Sequence, residues 1–149
     1  MNHRYEIQGI TDDITECQCC GKTNLKRTVA LRRVDDTETL FFGVDCASRA
    51  LRRTSRRVRA EAEVAQQKAD FYAERRARCA ATLAWIDALL AAEHGHLRFG
   101  NTVHRLAAEG DDQARAVIAN LRAIDRFYMT DGVDFATATR AYYQHLATA

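Results

Sequence analysis

The sequence predicts a mainly α protein: a small N-terminal β-hairpin zinc module, a long central helix, and a C-terminal bundle of short helices. Three observations carry this. Four of the five cysteines, Cys17, Cys19, Cys20 and Cys46, fall among short β-prone runs in the first third of the chain. No Gly or Pro then interrupts the chain until Gly95. Beyond Gly95, turn and capping residues recur at short intervals. The expected organisation is a zinc module over residues 1–48, a long helix over 46–94 and a helical bundle over 95–149.

Composition bounds the possibilities. At 149 residues, 47% hydrophobic and 28% charged, the chain is in the range of a globular protein that buries one modest core. It has no apolar run of about 18 residues, and MNHRYEIQG lacks the basic-then-apolar layout of a secretory signal, so a cytoplasmic location is expected. An odd cysteine count with three crowded at Cys17, Cys19 and Cys20 fits metal ligation in a reducing compartment better than a disulfide framework.

Taken in order, RYEIQGI over residues 4–10 has the alternating, β-branched character of a strand, and Thr11 to Asp13 ends it as a turn. Cys17, Cys20 and Gly21 form C-x-x-C-G, the spacing of a zinc knuckle. Two thiolates so spaced grip one metal from a tight turn, and the glycine supplies the positive φ that such a turn requires. Leu25 to Val34 and Thr39 to Gly43 read as two strands of a hairpin turning at Asp35, Asp36 and Thr37. The hairpin returns the chain to the knuckle, where Gly43-Val44-Asp45-Cys46 presents a third thiol at a helix start. The positive end of the helix dipole favours the thiolate there.

Knuckle, hairpin and a ligand on the first helical turn are the layout of a treble-clef zinc finger, which residues 5–51 resemble. More narrowly, C-x-C-C-G-K, L-K-R-T-V-A-L and F-G-V-D-C-A resemble small uncharacterised zinc-ribbon-like proteins of phages and bacterial mobile elements. The resemblance covers about a third of the chain and implies no activity. Treble clefs usually place a second helix ligand three residues after the first, and that position is Arg49 here. The fourth ligand is therefore open among Cys19, Asp45, one of His3, His94 and His96, and water; Cys19 ranks first by proximity. The cofactor expected is Zn2+ in a structural role, held by Cys17, Cys20, Cys46 and Cys19. The plainer alternative is four ordinary thiols in a small hairpin domain.

From Cys46 the uninterrupted run is compatible with one helix of nearly fifty residues, roughly 70 Å long. Val58, Ala62, Ala65, Ala69, Tyr72, Cys79, Leu83, Ile86 and Leu90 recur in steps of four and three, broken only by Arg76. A seven-residue period of this length argues for a coiled-coil-like seam, packed on a second copy or on the protein's own C-terminal helices. Cys79 lies on the stripe as a small buried residue.

Arg49, Arg52, Arg53, Arg56, Arg57 and Arg59 precede the first acid of this helix, Glu61. Guanidinium groups bind phosphate bidentately and release counterions, so duplex backbone is their natural complement. A solvated basic face, or pairing with acids on a partner protein, is the alternative. No aromatics are interleaved with these arginines, which argues against a base-stacking platform for single strands.

Asn101 can cap a helix that Gly110 ends, Asp111 or Asp112 can cap another through Tyr128, Asp131-Gly132 is a turn, and Asp134 can cap a last helix to about Ala147. His94, His96, His104 and His145 lack a positioned nucleophile or carboxylate pair, and no H-E-x-x-H, Gly-rich phosphate loop or nucleophile elbow is present. The role expected is non-enzymatic: nucleic-acid binding or an accessory function, with the Arg49 to Arg59 face on phosphate. The alternative is a protein-interaction or assembly factor, of phage origin, using the Ala-rich helix for dimerisation or docking. No membrane association is expected.

Overall fold

The computed structural model describes residues 4–35, 37–92, 95–128 and 132–149. His3, Asp36, His94 and Asp131 lie outside the described residues. Three strands, β1 (Tyr5–Thr11), β2 (Thr28–Arg33) and β3 (Thr39–Phe42), precede six helices: α1 (Val44–Leu51), α2 (Ser55–Ala91), α3 (Gly95–Glu109), α4 (Asp112–Ala119), α5 (Leu121–Tyr128) and α6 (Phe135–Thr148). The mainly helical class with a small N-terminal sheet is as the sequence predicts. The chain divides into two compact units within α2, between Tyr72 and Ala73.

In the N-terminal unit the strands form one antiparallel sheet in the order β1-β2-β3. Alternation along β2 turns Val29 and Leu31 inward, both fully buried, opposite Ile10 on β1 and beside Phe42 on β3. Thr28, also fully buried, is satisfied by donating its hydroxyl to the Ile14 carbonyl at 2.8 Å. Ala47 of α1 and Val58 and Ala62 of α2 close the core, which also contains the Cys17 and Cys46 thiols. Burial of these thiols inside an apolar cluster makes metal chemistry and core packing one problem in this unit.

The single helix expected from Cys46 is two. Helix α1 ends at Leu51, and Arg52 adopts the left-handed conformation (φ 52°, ψ 44°), its amide donating to the Arg49 and Ser48 carbonyls. Helix α2 then restarts under Thr54, whose Oγ1 accepts the Arg57 amide at 3.3 Å and whose carbonyl accepts that of Val58 at 3.0 Å. Ser48 Oγ donates to the Arg53 carbonyl and Ser55 Oγ to Asp45 Oδ1 at 3.0 Å, pinning the joint. Ser48 and Thr54 thus offer the backbone an alternative to helix, and Ser55 ties the start of α2 back to α1 through Asp45. Thr54 ahead of a helical run is the sequence signal for this break.

Within the single chain, the apolar stripe of α2 is divided between two cores. Val58 and Ala62 are buried in the N-terminal unit, and Cys79 and Ile86 in the C-terminal unit, while every residue from Gln67 to Arg78, including Ala69 and Tyr72, is exposed. The stripe serves two cores, and the alternating step of four and three is the requirement each core makes on its own stretch of helix.

The C-terminal unit packs Cys79, Ile86, Phe99, Val103, Ala114, Val117, Ile124, Ala136, Ala138 and Tyr143 into one cluster. Two caps form where the sequence places them: Asp111 accepts the Ala114 amide at 2.8 Å, and Asp134 accepts that of Thr137 at 2.9 Å. The helix expected from Asp111 to Tyr128 is broken at Asn120. Its side-chain amide donates to the Ala116 carbonyl at 2.7 Å and its oxygen accepts the Tyr142 hydroxyl at 2.9 Å, so a polar link to α6 replaces local helix.

Asp134→Ala should cost about 1 kcal/mol, measured by chemical denaturation, through loss of the cap. The Thr137 amide, against some burial and with help from the Thr137 hydroxyl and His96, holds the Asp134 carboxyl below its ordinary value of 3.8. The cap's ionic contribution is therefore complete above that value and lost as pH falls through the lower folded one. An Asp134→Ala difference that stays constant down to strongly acid pH would contradict this account.

Candidate metal centre

Two elements deliver the thiols. The knuckle is a turn over Cys17 to Gly21, closed by Gly21 N–H donating to the Cys17 carbonyl at 2.8 Å, with Gly21 at φ +70° as the spacing requires. Gln18 fastens it to β3: its amide donates to the Phe41 carbonyl at 2.9 Å and its Oε1 accepts the Phe41 amide at 2.6 Å. Immediately after β3, Gly43 leads into α1 and places Cys46 on the first turn.

The Sγ atoms of Cys17, Cys20 and Cys46 lie within 4.8 Å of one another. A tetrahedral metal with M–S bonds of ~2.3 Å sets its sulfurs about 3.8 Å apart, so a closure of at most about 1 Å brings the three into register. Cys17 and Cys46 are buried and Cys20 is exposed, leaving one side open to solvent. These three thiols form a cluster able to hold a metal ion. Cys19, exposed and one residue before Cys20, stands outside the tight set of three.

The two buried thiols have opposite proton affinities. Burial disfavours the thiolate at Cys17, but the Gly43, Cys20 and Cys19 amides aimed at its sulfur outweigh it and bring the pKa down to about 7. The Gly43 N–H reaches that sulfur at 3.2 Å. At Cys46, burial and the crowding sulfurs of Cys20, Cys17 and Cys19 push the pKa up to about 12, with only Arg49 opposing. A cation placed among these sulfurs reverses the second effect, because it converts crowded thiols into shared ligands.

Gly43 has a role that the residue pattern alone does not assign. A Cβ there would stand 3.1 Å from Leu25 Cδ1 and 3.8 Å from Cys17 Sγ, and the missing side chain lets the strand-to-helix backbone aim an amide at sulfur. A glycine three residues before a helix cysteine is the signal that could have found it.

The remaining ligand candidates separate by position. Asp45 accepts the Ser55 hydroxyl. His96 belongs to the C-terminal unit, where its Nδ1 is 3.7 Å from Asp134 Oδ1. Arg49 fills the position three residues after Cys46, its Nη2 donating to Cys46 Sγ at 3.3 Å and its Nε to the Asp45 carbonyl at 3.4 Å. A fixed positive charge thus stands three residues after Cys46, next to a thiol that would become anionic on binding a metal.

The other arginines of the block are divided by Glu61. Its carboxylate receives Arg57 Nε at 2.7 Å and is also paired with Arg53, and the Arg57 hydrogen bond is the main cause of its lowered pKa. Arg52, Arg56 and Arg59 are exposed and carry no ion pair among the described residues.

Together the fold and site define a small thiol-cluster module followed by an α-helical unit. No protein-family model, curated protein or solved structure matches the chain. No helix is long and apolar enough to cross a membrane among the described residues.

Proposed function

We propose that this is a non-enzymatic nucleic-acid-binding protein whose N-terminal unit is held by a structural zinc ion, akin to the treble-clef-like zinc ribbons of phages and mobile elements. Cys17, Cys20 and Cys46 hold the ion and Cys19 completes the set. An all-sulfur tetrahedral site suits zinc among the available divalent metals. The observation that carries the nucleic-acid reading is the charge left over after internal pairing. Arg52, Arg56 and Arg59 are exposed and without an ion pair among the described residues, and no acid stands between Asp45 and Glu61. Phosphate is the ligand that such guanidiniums serve best.

The test is salt dependence. Replacing Arg52, Arg56 and Arg59 together by alanine should lower the slope of log K against log salt for duplex DNA by about 3, one unit for each phosphate no longer neutralised. Arg53→Ala with Arg57→Ala should change it less, because Glu61 already neutralises much of their charge. An unchanged slope in the triple variant would sink the reading.

One observation favours an assembly role as the second reading: Val64, Phe71 and Tyr72 on α2 are 64%, 57% and 41% exposed. Phe71→Glu should then convert a dimer to a monomer by light scattering, and a wild type that stays monomeric at high concentration excludes self-association.

A further inference from the structure

At the C-terminal end of α1 lies a groove of about 560 Å³, lined among others by Arg4, Tyr5, Val34, Leu51 and Arg52. This is the size of an ordinary ligand site. Its other charges are committed: Glu6 is held by Arg32 at 2.6 Å, and Arg53 is paired with Glu61. Arg4 and Arg52 are exposed and have no ion pair among the described residues, so the groove keeps two guanidiniums available to a ligand. Its wall is apolar. Val34 is 45% exposed, and its amide donates to the Arg4 carbonyl at 3.0 Å, which fixes the two residues side by side at the end of the sheet. The Tyr5 ring is oriented by Phe42, their centroids 5.8 Å apart.

Arg52 adds an independent sign. It caps α1 at φ 52°, a conformation that glycine adopts freely and L side chains rarely adopt. The helix end by itself calls for glycine. An arginine stands there instead, and it lines the groove.

We infer that the groove takes one unpaired nucleotide of a single strand, its phosphate met by Arg4 and Arg52 and its base laid against Tyr5, Val34 and Leu51. This rests on the nucleic-acid reading above and extends it from duplex backbone to a strand end or displaced strand. The absence of aromatics among the arginines along the chain argues against stacking. Folding supplies one, because β1 carries Tyr5 to the groove that Arg52 enters from α1.

Wild type, Arg52→Gly and Arg4→Ala should be titrated by fluorescence anisotropy with a short labelled oligothymidylate and with a labelled blunt duplex, at one fixed low salt concentration, with a melting curve for each protein. Arg52→Gly and Arg4→Ala should each weaken oligothymidylate binding about tenfold, the worth of one charge-assisted hydrogen bond to phosphate. Duplex binding should fall only a few-fold, being shared among several arginines, and Arg52→Gly should melt no lower than wild type. Unchanged oligothymidylate affinity in folded Arg52→Gly overturns the groove and leaves the duplex reading standing. So does a wild type that binds duplex and not oligothymidylate. A wild type that binds neither overturns both.

Discussion

Cys17→Ser or Cys46→Ser should abolish stoichiometric metal binding and unfold the N-terminal unit, read as loss of dispersed backbone amide resonances from β1, β2, β3 and α1. Both thiols are buried in the same core as Val29, Leu31, Phe42 and Val58, so a serine there leaves a polar group in an apolar site as well as an incomplete ligand set. Apparent zinc affinities in small sites are worth about 10–16 kcal/mol. A unit of some seventy residues is stable by only about 4–10 kcal/mol in total. Loss of a structural zinc would therefore outweigh everything else that holds the sheet and α1 together, and on the proposed reading a chelator should reproduce the effect in the wild type. A serine variant that is metal-free yet keeps its dispersed spectrum would refute the structural role.

The same site gives a pH dependence of known sign. In the folded geometry that an ion captures, before any metal is bound, burial of the Cys17 thiol is outweighed by the backbone amides of Gly43, Cys20 and Cys19, which bring it down to about 7 from its ordinary 9.0. Its contribution to stability is thus full above the ordinary value and lost as pH falls through about 7. Cys46 is the reverse: raised to about 12, it contributes fully below the ordinary value and loses that contribution as pH rises through about 12. At neutral pH Cys46 therefore carries its proton, and a metal must displace it. Zinc binding should release protons and weaken as pH falls, measurable by titration calorimetry in buffers of different ionisation enthalpy.

Phe99→Ala should destabilise the C-terminal unit by about 3–5 kcal/mol, read by denaturant unfolding with Trp85 fluorescence. Phe99 is 1% exposed and its ring sits 5.7 Å from that of Phe135 at a tilted angle, so truncation removes both transfer free energy and an aromatic pair and leaves a cavity. Leu97, two residues earlier on the same helix, is 85% exposed. Leu97→Ala should change stability by less than about 0.5 kcal/mol. Equal effects at the two positions would mean that α3 packs by another face.

How much of this was legible in the chain depends on the range of the force involved. The knuckle at Cys17 to Gly21, the strand and hairpin, and the caps at Asp111 and Asp134 are set by interactions a few residues long: thiol spacing, a positive φ, a carboxylate reaching an amide three positions on. The sequence by itself determined them, together with the mainly helical class and the three thiols of the metal cluster. Phe99 escaped notice because the helix was expected to begin only at Asn101, although Phe99 and Val103 stand one helical turn apart.

Only the tertiary structure showed that the two ends of the long apolar stripe serve separate cores, because one helical period fits a coiled-coil partner and two separate cores equally well. It likewise decided which arginines are taken up by internal acids. Pairing is set by distance in space: Arg53, in the joint between α1 and α2, reaches forward to Glu61 on α2, and Glu6 occupies Arg32 across the sheet. Charges that look like one block along the chain are divided by the fold into those that hold it together and those left facing out.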